Sequence, residues 1–198
     1  MSAQRTGCGR DVRSPLSSCY TRLQVHPVSV RYFAVALLLT LAAHGEQVPE
    51  YELKAEFLSR FATFIEWPQG SEARAFTIGV VGHNPFNGYL EKIAARKIKN
   101  RPVAIRYIGD LAQLDGCDIV FICGSEKGRL GAILARTESR PILTVADSNG
   151  FAAAGVLINF YSTGDTIRFE INESAVDRSG LKVSSKLFKL AKVIEAKP

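Results

Sequence analysis

The chain has 198 residues, of which 46% are hydrophobic, and this is enough for one globular domain with a sizeable core. A formal net charge of +6 would ordinarily suggest nucleic acid as a partner. Residues 1–45, however, carry five arginines and one acid, so the rest of the chain holds 20 basic and 18 acidic residues. The basic signal therefore largely disappears, and nucleic acid is not an expected partner.

The N-terminal segment has the pattern of an export signal. Residues 33–43 are apolar except for Thr40, and Ala43-His44-Gly45 follows the small-x-small rule for a cleavage site. An apolar run of this length is too short to span a bilayer, which takes roughly 20 residues. We therefore expect a leader and secretory signal peptide over residues 1–45 and a single domain over residues 46–198. The leader is long, so we hypothesise a true start at Val28 or Val30, which N-terminal sequencing of the precursor would test.

After the leader, the pattern predicts helices that alternate with buried strands. The first helix opens at Pro49 and ends at Trp67-Pro68, with an apolar stripe formed by Leu53, Phe57, Phe61, Phe64 and Ile65. There follow a strand at 76–81, a helix at 86–96, a strand at 103–108, a helical turn at 111–114, a strand at 119–122, a helix at 128–136 and a strand at 142–145. This alternation predicts an α/β fold with a largely parallel sheet flanked by helices.

Two cysteines, Cys117 and Cys123, bracket the strand at 119–122. Six residues of extended chain separate their sulfurs by roughly 20 Å, whereas a disulfide needs a Cα separation of about 4.4–6.8 Å. We predict two buried free thiols, with a disulfide between subunits as the alternative.

The C-terminal part predicts an antiparallel hairpin followed by a closing helix. Residues 156–161 and 166–172 flank a turn at 162–165, and Asn159, Arg168 and Glu170 alternate to the face that meets water unless something covers it. A short helix from Glu173 is expected to end at Gly180. The closing helix, capped by Ser184 or Ser185, is predicted to run to about Ala196. Its core face would carry Leu187, Leu190, Ala191 and Ile194, and its basic face Lys186, Lys189 and Lys192.

Loops at the carboxyl ends of parallel strands are the default ligand crevice of an α/β sheet. They contain neither a dinucleotide fingerprint nor a phosphate-binding loop, and Ser125 lacks the spacing of a nucleophile elbow. His83 is the one histidine after the predicted cleavage site, and we interpret it as a turn residue before Asn84-Pro85. We therefore expect no enzyme activity, no cofactor and no metal site. The alternative is a small-molecule sensor whose crevice is lined by His83, Asn84, Ser125 and Asp147.

Several motifs resemble the YfiR family of periplasmic regulators over about residues 50–195. The most specific are Glu66-Trp67-Pro68 and the stretch from Gly180 to Ser185; the others are Tyr51-Glu-Leu-Lys, Leu143-Thr-Val-Ala-Asp, Ile158-Asn-Phe and Arg168-Phe-Glu-Ile-Asn. The resemblance implies a non-enzymatic α/β protein, expected to be a homodimer. It implies repression of a membrane-bound diguanylate cyclase through that enzyme's periplasmic domain, relieved by an outer-membrane lipoprotein.

This sequence departs from the family pattern at two places. Well-studied members have further cysteines that form internal disulfides, and this chain cannot form the same set. Val156-Leu157 replaces the usual Gly-Met before Ile158-Asn159-Phe160, which is a conservative change in strand packing.

These observations predict an exported regulatory protein that docks on the periplasmic part of a membrane signalling enzyme. We interpret Trp67 first as a core residue and second as a partner anchor. The residues predicted to affect docking, directly or through the surface that supports it, are Trp67, Asn159, Arg168, Gly180, Leu181, Ser184, Ser185 and Lys189.

Overall fold

The computed structural model describes residues 48–68 and 74–195, so the predicted leader lies outside the described residues. Its helices are α1 (Glu50–Phe61), α2 (Tyr89–Ala94), α3 (Leu130–Thr137), α4 (Glu173–Ser179) and α5 (Ser185–Phe188). Its strands are β1 (Ile65–Glu66), β2 (Phe76–Val81), β3 (Lys97–Ile98), β4 (Arg101–Ile108), β5 (Ile119–Ile122), β6 (Leu143–Ala146), β7 (Ile158–Thr163), β8 (Thr166–Asn172), β9 (Lys182–Val183) and β10 (Lys192–Ile194). Short 3-10 turns cover Ala62–Phe64, Leu111–Leu114 and Gly124–Arg129.

Eight of the described strands form one mixed sheet in the order β10-β8-β7-β6-β5-β2-β4-β3. Within this order, β4, β2, β5, β6 and β7 are each parallel to their neighbours in that series. β7 and β8 are antiparallel, and β10 is parallel to β8. The central strands β2, β5 and β6 are buried along their whole length, as strands covered on both faces should be. The predicted α/β fold with a C-terminal antiparallel pair is confirmed.

A hydrophobic core lies on each face of the sheet. Residues of α1, α2, α4 and α5 pack on one face and form the larger core, called the main core below. Residues of α3 pack on the other face. Aromatic rings join α1 to the hairpin, because Phe61 lies 5.6 Å from Phe160 and 5.1 Å from Phe169 between ring centroids. The hairpin is therefore part of the main core.

The first helix is shorter than predicted. It ends at Phe61, and Ile65 and Glu66 form β1, which pairs antiparallel with β9. The predicted stripe is also partly wrong, since Leu53 is 39% exposed while Lys54 is buried. Pairing with β9, a contact distant in sequence, takes the backbone of residues 65–66 out of the helix.

The closing helix is the largest error of the sequence analysis. Gly180 does end α4 in the left-handed conformation, with φ of 72°, and Ser184 caps α5 as expected. The helix then stops at Phe188, and Lys192–Ile194 extend as β10 along β8. Leu187 is buried as predicted, whereas Leu190 is 67% exposed. The β-branched residues Val193 and Ile194 favour a strand once β8 offers its edge.

The outer face of the hairpin was predicted to meet water unless something covers it, and at Asn159 it is covered, since this residue is only 1% exposed. Alternation does place its side chain on the other face of the hairpin from Ile158, and that face is buried at this position. Arg168 is exposed as expected, and Glu170 is half-buried. The turn spans Gly164 and Asp165, since Thr163 already pairs with Thr166.

Candidate partner-binding site and ligand crevice

The two most specific sequence motifs lie side by side. β1 pairs with β9, so that Ile65 is opposite Val183 and Glu66 is opposite Lys182. The amide of Ser184 also donates to the carbonyl of Phe64 at 2.8 Å. The predicted site residues Trp67, Gly180, Leu181, Ser184 and Ser185 therefore belong to two segments joined by this two-stranded ribbon, although they are far apart in sequence.

Trp67 lies half-buried at the end of the ribbon. Its ring meets Phe76 edge to face at a centroid distance of 5.3 Å, and Lys99 Nζ lies 5.8 Å from the ring centroid. The indole Nε1 is buried without a hydrogen-bond partner in the described part of the chain. The ring packs against the main core, in agreement with the first interpretation of this residue.

The segment after α4 owes its residue types to local structure. Gly180 adopts a positive φ that other residues rarely take, and Leu181 is buried. The Leu181 amide donates to Ser179 Oγ at 3.1 Å, and the Lys186 amide donates to Ser184 Oγ at 3.3 Å. These residues therefore shape the surface, while the exposed Ser185 and Lys189 are available to a partner.

Asn159 and Arg168 lie on the hairpin rather than on the ribbon. Asn159 Nδ2 donates to Glu170 Oε1 at 3.3 Å, and its Oδ1 is buried without a partner among the described residues. Glu170 also faces Lys192 on β10, with 3.6 Å between Nζ and Oε2. A polar row thus links the hairpin to the edge strand.

The loops at the carboxyl ends of β2, β5 and β6, where the crevice was predicted, contain the residues of the alternative site. The His83 amide donates to Ser125 Oγ at 3.0 Å, and Asn84 Oδ1 accepts from the Phe86 amide at 2.9 Å. Gly124 approaches Ser148 so closely that a Cβ would lie 2.7 Å from its Oγ. His83 is exposed and lies in a bend, which fits a turn residue.

Helix α1 closes the part of the crevice that contains Asp147. Tyr51 Oη donates to Asp147 Oδ2 at 2.8 Å, and Lys54 Nζ lies 2.8 Å from the same oxygen. Lys54 also pairs with Glu50 at 2.6 Å, and its own side chain is 5% exposed. Burial, and then the hydrogen bond to Asp147, raise the pKa of Tyr51 above its usual range. The negative charge of Asp147 is therefore already compensated by Lys54 and by the hydroxyl of Tyr51.

A second buried ionic cluster lies at the opposite end of the sheet, and neither this cluster nor the role of Lys54 was predicted from the sequence. Asp118, fully buried, accepts from both Arg101 and Arg74 at 2.9–3.0 Å and from the Thr77 amide at 2.8 Å. One available signal was an aspartate directly before a buried strand, since buried acids are almost always paired. No such signal identified which arginines would bind it.

The thiols of Cys117 and Cys123 are free and buried, as predicted. Over residues 48–68 and 74–195 there is no cluster of metal-binding side chains. In the same ranges no helix is long and apolar enough to cross a membrane.

Cys123 is expected to make the domain less stable at alkaline pH. Burial, followed by the charges of Asp147 and Glu126, raises the pKa of this thiol from 9.0 to about 12. Between these values the unfolded chain loses the proton and the folded chain keeps it, so stability present below pH 9 is lost as pH rises towards 12. We expect urea midpoints to fall between pH 8.5 and pH 10.5, and to fall less in Cys123→Ala. Equal decreases in both proteins would contradict this assignment.

Comparison with known proteins identifies relatives at the level of family and fold. A search of curated proteins gives no match. Among solved structures, the chain is similar to the ABC domain in complex with L-Trp from Streptococcus pneumonia, with a TM-score of 0.50 and 11% identity. That match covers 73% of this chain and 62% of the other, and at this identity it shows a shared fold alone.

A family model described as YfiR/HmsC-like matches residues 51–192, which takes in almost every described element. Both motifs joined by the β1–β9 ribbon, and the Lys54–Asp147 contact, fall within the matched residues. The chain therefore belongs to the YfiR/HmsC-like family, a family of periplasmic regulatory proteins.

Proposed function

We propose that this protein is exported, through a signal peptide within residues 1–45, and represses a membrane-bound diguanylate cyclase by docking on its periplasmic domain. The family match over residues 51–192 is the observation that supports this proposal. The protein does no chemistry of its own in this proposal. Its partners are the cyclase, an outer-membrane lipoprotein that relieves repression, and a second copy of the chain.

The exposed cations of the C-terminal region suit this role better than the crevice does. Arg168 and Lys189 are exposed and have no ion pair within the described chain. These unpaired positive charges would attract an acidic surface on the partner, which speeds the association of the two proteins. Trp67 and Leu181 would act indirectly, because both pack in the core next to the β1–β9 ribbon.

The proposal is tested first by measuring cyclic di-GMP in a strain that lacks the gene. We expect the level to rise above that of the parent strain and to return when the exported form is supplied. A form without the leader should fail to restore it. An unchanged level in the deletion strain would contradict repression of a cyclase.

Charge reversal at Arg168 or Lys189 is expected to weaken partner capture without unfolding the protein. Both side chains are exposed, so Arg168→Glu and Lys189→Glu should change the free energy of unfolding by less than about 1 kcal/mol. Binding of each variant to the periplasmic domain of the cyclase should be weaker, and this binding should depend less on the salt concentration. Lys127→Glu, on the exposed turn after β5, is the matched control and should bind normally. Normal binding by both test variants would remove these residues from the docking surface.

A second candidate is small-molecule binding at the crevice, supported by the grouping of His83, Ser125 and Ser148 around the strand ends. The structure similar in fold was solved with L-Trp, which makes amino acids a reasonable first set of probes. A ligand that binds the folded state raises the melting temperature by mass action. A shift with one metabolite class, lost in Ser125→Ala, would favour this candidate over the first.

A further inference from the structure

Strand β10 leaves an open edge of the main sheet. It is the last strand in the sheet order, and its outer backbone groups have no strand partner within residues 48–68 and 74–195. Edges of this kind are templates for pairing with another extended chain. Proteins usually protect them by burying or charging the neighbouring side chains.

Here the side chains beside the edge are apolar and exposed. Leu190 is 67% exposed, the highest value among the large hydrophobic residues described, and Val193 is 45% exposed. Val193 is opposite the fully buried Ile171 in the register with β8, so it lies at the margin of the main core. An incoming strand that packed on Val193 and Leu190 would extend this core by one more strand.

The charges around the edge select the kind of strand that fits. Arg168, Lys186 and Lys189 are exposed and have no ion pair in the described residues, while the register with β8 places two exposed acids, Glu173 and Glu195, at the far end of the edge. Glu170, the acid that faces β10, is already bound by Lys192. Pairing with a second copy would join two edges that carry the same excess of positive charge, and like charges across a sheet destabilise it. The lysines thus oppose self-pairing and attract acidic chains.

We propose that the β10 edge binds an extended segment of a partner protein in which apolar and acidic side chains alternate. The partner adds a strand by main-chain hydrogen bonds, its apolar side chains cover Leu190 and Val193, and its carboxylates meet the lysines. This inference rests on the proposed function only in requiring a protein partner, and it specifies the form of the partner's binding segment.

The test uses a short blocked peptide of alternating valine and glutamate, with the matching valine–lysine peptide as control. In amide spectra of the mature protein, we expect the first peptide to shift the signals of residues 189–194 and the second to bind about tenfold more weakly. Leu190→Asp combined with Val193→Asp should weaken binding about tenfold. Val48→Asp, at another exposed hydrophobic residue, should leave binding unchanged.

Lys189→Glu provides an independent comparison if the double variant is less stable, with Lys127→Glu as its control. Equal binding of the two peptides, or no shifts at residues 189–194, would overturn the proposal. So would a dimer that Val193→Asp dissociates, because the edge would then pair with a second copy. Failure of peptide binding while the gene still lowers cyclic di-GMP rejects this inference alone. Peptide binding without any effect of the gene on cyclic di-GMP rejects the cyclase proposal alone.

Discussion

Asp118→Ala is expected to lower the free energy of unfolding by about 3–5 kcal/mol, because it leaves buried positive charge uncompensated. Asp118 is fully buried and is the carboxylate that binds the Arg101 guanidinium, whose side chain is 6% exposed. After the substitution, the hydrogen bonds that Arg101 keeps among the described residues go to the carbonyls of Arg74 and Ala75, each at 2.8 Å. The Thr77 amide also loses its acceptor. Urea denaturation followed by circular dichroism measures the loss.

Asp115→Ala is the matched control for this experiment. Asp115 pairs with Arg136 and Arg140, but its side chain is 52% exposed, so its removal should cost less than about 1 kcal/mol. Replacing both members of the buried pair, in Arg101→Met with Asp118→Leu, should recover part of the lost stability. A cost for Asp118→Ala no larger than that of the control would show that water reaches the buried cluster.

Lys54→Ala is expected to lower the free energy of unfolding by about 3 kcal/mol, since it removes the cation that neutralises Asp147. The Asp147 side chain is 9% exposed, and within the described residues it would keep the hydroxyl of Tyr51 as its side-chain partner. The cation also lies 4.4 Å from the centroid of the Tyr51 ring, so this contact is lost as well. Chemical denaturation measures the effect, and Asp147→Asn added to Lys54→Ala should recover part of it.

Lys92→Ala is the control for Lys54→Ala, because it removes an ion pair from the other side of α1. Lys92 binds Glu52 at 3.0 Å, and its side chain is 62% exposed, so we expect a change below about 1 kcal/mol. Two equal costs would contradict the role of Lys54 as a buried neutralising group. A larger cost for Lys54→Ala, with partner capture retained, would show that closure of the crevice supports the fold rather than docking.

The central sheet could be predicted from sequence because its strands are short, continuous apolar runs. The runs at 76–81, 119–122 and 142–145 match β2, β5 and β6 to within one residue. Burial on both faces makes each run recognisable without knowledge of its neighbours. The signals at Gly180 and Ser184 could also be recognised without knowledge of the rest of the fold, because each residue acts on adjacent backbone groups.

The C-terminal strand could not be predicted, because its apolar spacing also fits a helix. Leu187, Leu190 and Ile194 recur at helical intervals, and only the edge of β8 decides between the two structures. Local periodicity contains no information about that edge. The same limit applies to Asn159, whose face was assigned correctly although local alternation could not decide whether that face is covered.

The candidate site was only partly accessible to sequence reasoning. The two specific motifs were recognised separately, but no local pattern shows that residues 65–66 pair with residues 182–183. Lys54 and Asp147 are 93 residues apart, and either could have been an ordinary surface charge. Contacts between distant segments produce both features, and residue types at single positions do not specify them.

The β1–β9 ribbon has a consequence for how the protein matures. If the protein is exported as proposed, the first part of the domain cannot complete its pairing until nearly the whole domain has been translocated, because Ile65 finds its strand partner only at Val183. Contacts between such distant segments slow folding, since the intervening chain must be ordered first. Until then Ile65 and the aromatic face of α1 stay open to other chains in the export compartment. The interval between export and closure is thus the period in which this protein would most need a chaperone.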